Sequence, residues 1–185
     1  MVNKRLLGGI GLLGLTFAAQ ASECGIESMF VRGTFNDWGN TAMQCKNGVW
    51  EAKNIHFDNS QLPKFKFDAF GDWSQNYGTG EGFGSMLTRD GDDIIVEPGY
   101  YHLSYDFANN LYDAQAFEPE CGTLEMYLRG TNNNWGLTPM QCEAGSWVAR
   151  SVYFSPDANG LFKFDTFGDW QSNFGADAAN PGFVK

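Results

Sequence analysis

Hydrophobic and polar positions alternate along much of this chain. Met29 and Val31 alternate with Phe30 and Arg32, and Phe65 and Phe67 alternate with Lys66 and Asp68. Tyr101, Leu103, Tyr105 and Phe107 alternate with His102, Ser104 and Asp106. A period of two sends successive side chains to opposite faces, so these stretches predict strands with one buried face. Gly, Asn and Asp punctuate them in "NDWGN", "KNG" and "DGDD", as turn backbones require. One stretch breaks the rule. Trp50 and Ala52 share a face, whereas Ile55 and Phe57 fall on the other. The slip predicts either a bulge or a junction of two strands. No amphipathic helix is predicted beyond residue 21.

The pattern is written twice. "RGTFNDWG" at 32–39 returns as "RGTNNNWG" at 129–136, 97 residues later. Residues 24–78 align with 121–175 without a gap, and 27 of the 55 positions are identical. They include Trp38/Trp135, Trp50/Trp147 and Trp73/Trp170, together with "FKFD" and "FGDW" in each copy. The period is too long for a solenoid repeat and matches one β-sandwich domain. The expected fold is all-β, with two tandem sandwiches over 22–119 and 120–185. After Gly78 the first copy continues with "DDIIVEPGYYHLSYDFANNLYDAQAF", which reads as its last three strands. After Gly175 there is only "ADAANPGFVK". One period beyond Phe117 is position 214, so the second copy is expected to lack about three strands, either because the chain is a fragment of a longer protein or because the second domain is truncated. A sheet edge left open in this way is prone to pairing with other chains.

The start of the chain changes the compartment. Lys4 and Arg5, the apolar run "LLGGIGLLGLTFAA" and the small-x-small site Ala19-Gln20-Ala21 form a signal peptide over residues 1–21. Glu23 precedes Cys24, which disfavours a lipoprotein anchor. The expected location is secreted or periplasmic, of bacterial type. Without Lys4 and Arg5 there are 10 basic and 22 acidic side chains, a net charge of −12. Nucleic acid and anionic membrane both require a positive footprint, so neither is expected as a partner. A neutral ligand fits the charge. Aromatic residues make up 16% of the chain, more than a small core needs, which favours a stacking site.

Export also bears on Cys24, Cys45, Cys121 and Cys142, since disulfides persist in oxidising compartments. Four cysteines allow three pairings. Cys24 to Cys45 spans 21 positions, and so does Cys121 to Cys142. Equivalent units should each close their own loop, which selects Cys24–Cys45 and Cys121–Cys142. Each bridge is worth about 3 kcal/mol in the chain-entropy account. There is no CxxC pair, and neither His56 nor His102 stands at zinc-ligand spacing from a cysteine. The "RDGDD" run at 89–93 lacks calcium-loop spacing and reads as a solvated turn. No metal or other cofactor is expected.

The ordered set "FVRGTFNDWG", "GVWEA", "KFKFDAFGDW" and "DDIIV" resembles the glycogen- and starch-binding modules of the early-set immunoglobulin-like class. Such modules occur in the β-subunit of AMP-activated protein kinase and beside the catalytic domains of pullulanases, isoamylases and related amylases. The resemblance covers nearly all of 24–117 and, in the second copy, 121–175. It implies that Trp38 and Trp73 stack on glucose rings while Lys66 hydrogen-bonds sugar hydroxyls. In the second copy it implies the same of Trp135, Trp170 and Lys163. Asp92 stands where the family carries an asparagine, and the second copy has no counterpart.

Elementary chemistry supports the same residues. Sugars present apolar C–H faces ringed by hydroxyls, which match a flat aromatic ring beside a polar side chain. A turn usually carries small polar residues, so a tryptophan in each of two turns, in both copies, is unusual. A competing reading has Trp38 and Trp135, or Trp73 and Trp170, merely plugging the end of a small core. Trp50 and Trp147 lie within strands and are expected in the core. Arg32 and Arg129 are expected to brace the turns through backbone carbonyls. A glycosidase needs two carboxylates across a sugar-sized cleft. Asp68 and Asp72 recur as Asp165 and Asp169, but a whole active site duplicated in a partial domain is not expected. There is no nucleophilic serine motif, and no histidine is shared by both copies. The leading expectation is a non-catalytic α-glucan-binding tandem, the N-terminal part of an exported amylase-type enzyme. The alternative is a structural or adhesive immunoglobulin-like protein, in which Trp38 and Trp73 would be buried in separate places.

Overall fold

The computed structural model describes residues 23–80, 84–156 and 159–176. The expected signal peptide lies outside the described residues. No helix among them is long and apolar enough to cross a membrane. The protein is all-β, as the alternation predicts, with a single 3₁₀ turn among the described residues.

In the first copy two antiparallel sheets enclose the core. One sheet contains β1 (Phe30–Gly33), β2 (Thr41–Ala42), β5 (Lys64–Ala69), β6 (Gln75–Thr79), β7 (Leu87–Arg89) and β8 (Ile94–Ile95). Its order is β2-β1-β5-β6-β7, with β8 pairing the start of β5. The other contains β3 (Gln44–Lys46), β4 (Val49–Phe57), β9 (Gly99–Asp106) and β10 (Leu111–Phe117), in the order β10-β9-β4-β3. The irregular stretch is one strand with a bulge: the β4–β9 register shifts between Ala52 and Ile55. Asn54, inside the bulge, takes a left-handed φ of 59°. Trp50, Ala52, Ile55 and Phe57 therefore all reach the core, although a strict alternation would have split them.

The core is strongly aromatic. Phe65 and Phe67 are fully buried, and Phe67 stacks on Tyr105 of the opposite sheet with centroids 5.0 Å apart. Burial pushes the Tyr105 hydroxyl pKa up, and its OH donates to Asn110 Oδ1 at 3.0 Å. Lys64, Lys66 and Asp68 alternate with these phenylalanines and face outward from the sandwich, which turns the outer side of the β1–β5 pair into a polar floor.

The second copy repeats the outer sheet and little else. Strands β11 (Tyr127–Gly130), β12 (Thr138–Pro139), β15 (Phe162–Thr166) and β16 (Ser172–Phe174) pair in the order β12-β11-β15-β16. β13 (Gln141–Glu143) and β14 (Ser146–Val148) form a separate two-stranded sheet. No described strand stands where β8, β9 and β10 stand in the first copy. In their place is an open apolar trough of about 340 Å³, lined by Leu128, Trp147, Phe154, Phe162 and Phe164 among others. Phe65 is fully buried, whereas its counterpart Phe162 is 47% exposed. Trp147 is only half-buried, unlike Trp50, and its indole donates to Cys121 O at 3.0 Å.

Both expected disulfides are present, Cys24–Cys45 and Cys121–Cys142, each with Cα atoms 5.9 Å apart. The copies also touch. His56 at the end of β4 stacks on Tyr100 of its own copy, 4.4 Å between centroids, and on Phe167 of the second copy, 5.1 Å. The contact is head-to-tail: the first copy contributes the end of β4, and the second contributes the turn after β15. The first copy's equivalent of Phe167 is Phe70, and it is 47% exposed.

Candidate functional site

Two turns meet above the polar floor. The first follows β1. Thr34–Asn36 form the 3₁₀ turn, then Asp37 and Trp38 take left-handed φ values of 50° and 61°. Trp38 N donates to Gly33 O at 2.9 Å and closes the loop. Asn36 ties it internally: its Oδ1 accepts from Gly33 N at 3.0 Å, and its Nδ2 donates to Gly39 O and Thr41 Oγ1, both at 2.9 Å. Asn133 makes the same three bonds in the second copy. This asparagine was not singled out from the sequence, although its identity in both copies was the available signal.

The second turn joins β5 to β6. Phe70, Gly71 and Trp73 have φ values of 71°, 73° and 66°. A Cβ on Gly71 would stand 2.7 Å from Asn40 Nδ2, so the position requires glycine on both counts. The buried Asp68 carboxylate accepts from Trp73 N at 3.1 and 3.2 Å. Asp72 Oδ1 accepts from Ser74 N at 2.9 Å and Ser74 Oγ at 2.6 Å. These bonds favour the ionised form and hold the Asp72 carboxyl pKa below the usual range.

Arg32 locks the two turns together, as expected. Nη1 donates to Trp38 O at 2.9 Å, Nη2 donates to Gly71 O, and Nε lies 2.7 Å from Asp68 Oδ2. Its guanidinium carbon sits 4.4 Å from the Trp73 ring centroid, within cation–π range. The second copy reproduces the lock. Arg129 reaches Trp135 O at 3.2 Å, Gly168 O, Asp165 Oδ2 at 2.6 Å and the Trp170 ring at 4.2 Å. Trp38 and Trp73 are thereby held with centroids 5.9 Å apart and planes at 45°. Trp135 and Trp170 repeat this at 6.1 Å and 43°. Trp73, Trp135 and Trp170 are each more than a third exposed, and Trp38 is half-buried.

The backbone makes these tryptophans costly. Trp38, Trp73, Trp135 and Trp170 all carry φ between 61° and 68°, a region that bulky L-residues avoid. Each such residue costs on the order of 1–3 kcal/mol. Four strained and partly exposed indoles, arranged in two matching pairs, have the form of a preorganised surface.

The other predicted residues fall nearby with different roles. Lys66 pairs across the ladder with Arg32 and is half-buried on the same outer face. Lys163 occupies the matching place opposite Arg129, and its Nζ donates to Asn173 Oδ1 at 2.7 Å. Asp92 is exposed and joins Thr79 through backbone bonds in both directions, each 2.9 Å. Its neighbour Asp93 reaches the floor: Asp93 Oδ2 lies 2.7 Å from Lys64 Nζ, and that ammonium is 5.5 Å from the Trp38 centroid. Lys64 shares the Lys66 face by simple alternation and could have been found that way. The second copy has Leu161 in its place.

The recurring carboxylates are all engaged in holding turns. Asp68 and Asp165 bind arginine and a tryptophan N–H, and Asp169 Oδ1 accepts from Gln171 N at 2.9 Å, much as Asp72 binds Ser74. Among the described residues no three His, Cys, Asp or Glu side chains cluster so as to hold a metal ion. The site offers two tilted apolar plates edged by ammonium, carboxylate and amide groups. Such a surface can stack on the C–H face of a ring while its rim exchanges hydrogen bonds with hydroxyls.

No family model matches the chain, and no curated protein matches it. Among solved structures, SusF from Bacteroides thetaiotaomicron is similar over 80% of this chain, at 18% identity and a TM-score of 0.38. The chain spans 38% of the length of that protein's chain.

Proposed function

We propose that this is an exported, non-catalytic α-glucan-binding tandem that serves as the N-terminal binding part of an amylase-type enzyme. The observation that carries the reading is the paired platform: two tryptophans on strained turns, locked by one buried Arg–Asp pair and repeated in the second copy with nearly the same spacing and tilt. Trp38 and Trp73 supply the stacking faces. Lys66, Lys64 and Asp93 supply hydrogen-bonding groups at the rim, with Asp92 beyond them. In the second copy Trp135, Trp170 and Lys163 take the same parts. The acidic surface suits a neutral polysaccharide and repels phosphate polymers. The non-catalytic reading is supported by the commitment of Asp68, Asp72, Asp165 and Asp169 to the turns. The two sandwiches form the domains at 22–119 and 120–185, of the early-set immunoglobulin-like kind.

Retention of the purified protein on insoluble starch, with cellulose and chitin as controls, tests this reading. Selective retention on starch is the expected result. Retention on none of the three would overturn it in favour of a structural or adhesive role. The adjacency of Trp38 and Trp73 already weighs against that role, which called for indoles buried apart.

A further inference from the structure

The head-to-tail contact encloses a cleft of about 830 Å³ with walls from both copies. The volume is that of a ligand site, and its position is the informative feature. Asp37 lines it from the first copy and is the residue immediately before Trp38. Asp169 and Gln171 line it from the second and flank Trp170 on both sides. Residues adjacent in sequence to Trp38 and to Trp170 thus line one cleft. Its lining is mainly polar, with Asn59 and Gln61 from the first copy and Asp169 and Gln171 from the second. The His56 stack forms part of the cleft and pins the two copies to each other.

Resting on the α-glucan reading above, we propose that one glucan chain lies across both copies, running from the Trp38/Trp73 platform through this cleft to the Trp135/Trp170 platform. The chemistry fits a polyhydroxylated chain between its stacking points. Carboxylates accept from hydroxyls, and amides both donate and accept. No cationic side chain lines the cleft, so an anionic polymer gains nothing there. A cation is a poor alternative, since the carboxylates lining the cleft do not cluster at metal-binding distance. The short linker at 118–120 needs no adjustment, because the copies already face the same cleft. The ligand class that gains is then a long linear glucan, and short oligosaccharides occupy single platforms.

The test is calorimetry of the intact protein with maltotriose and with a long linear maltooligosaccharide. The long ligand should bind one per protein and about tenfold or more tighter than maltotriose, the gain expected when a second contact becomes intramolecular. Asn59→Trp and, separately, Thr123→Trp obstruct the cleft from the first and the second copy, and neither residue lies in a tryptophan turn. Each should reduce the long ligand to the affinity of maltotriose while leaving maltotriose binding unchanged. Equal affinities for the two ligands in the unaltered protein would overturn the bridging proposal and leave the platform reading intact. So would an undiminished long-chain gain in both variants. Failure of maltotriose and the long ligand alike would instead remove the α-glucan reading itself.

Discussion

The two copies share a platform but not a core. Arg32/Arg129, Asp68/Asp165 and the four tryptophans superpose in role and nearly in distance, yet Phe65 is buried while Phe162 is half-exposed. The difference shows which parts of the protein are local. Each platform is assembled by two turns on a pair of adjacent strands, β1 with β5 or β11 with β15, so it needs that one ladder and not the second sheet. The core needs two sheets, and the second copy supplies the described residues of only one and a fraction. A binding surface can thus be specified without the sandwich that backs it, although its anchoring differs.

The largest contrast should appear in stability. Phe65→Ala is expected to destabilise the first copy by about 3–5 kcal/mol, the usual cost of a cavity left by a buried phenylalanine. Phe162→Ala should cost less than ~1 kcal/mol, because its ring already faces an open trough. Denaturant melts of the two variants measure both. Similar losses would show that the trough is covered in solution.

Binding gives the next contrast. Trp38→Ala with Trp73→Ala should abolish starch retention, a loss of ~2 kcal/mol or more expected for central aromatic anchors. Trp135→Ala with Trp170→Ala should weaken retention less, since Leu161 stands in place of the rim lysine and Phe162 behind the platform is half-exposed. Equal losses in depletion isotherms would remove the proposed ranking of the copies. A gain-of-function change sharpens it. Leu161→Lys restores the cation beside Trp135 and should improve binding by the second copy by about 0.5 kcal/mol, measured in a background where Trp38 and Trp73 are alanine.

The smallest expected effect concerns the joint between the copies. Burial lowers the pKa of His56 below the ordinary imidazole value, and the Asp58 charge only partly opposes this. The neutral ring is therefore favoured in the folded joint. Its contribution is complete above a pH of roughly 6.5 and is lost as the pH falls through that value toward the lowered one, where the loss levels off. Thermal melts across this range should show a small acid-side decrease that His56→Phe removes. An identical pH profile in the variant would mean that the stack does not respond to protonation.

Much of this was legible in the sequence, for reasons the particular residues make plain. Alternation marked Phe65 and Phe67 as buried and placed Lys66 outward, because a strand with one covered face leaves that trace. The duplicated spacing gave the cysteine pairing, since symmetric units close symmetric loops. The bulge in β4 was visible only as a slip in phase, and pairing with β9 was needed to show that Trp50 and Phe57 reach one core. Lys64 and Asp93 were passed over because their meeting depends on β8 lying beside β5, a contact between distant segments. The cleft was not legible at all. Nothing in Asp37, Asn59 or Gln171 taken singly announces that two copies bring them to one cleft.

The left-handed tryptophan backbones also have a consequence for how this chain could have diverged. A tryptophan codon becomes a glycine codon by one base change, and glycine at these φ values relieves strain of roughly 1 kcal/mol that alanine would retain. Against that relief stand the ring contacts that would be lost, between the paired indoles and, at Trp73 and Trp170, with the arginine. Since the duplication, 28 of 55 aligned positions have come to differ, and none of these four tryptophans is among them. Retention of all four indoles is what the proposed stacking role calls for.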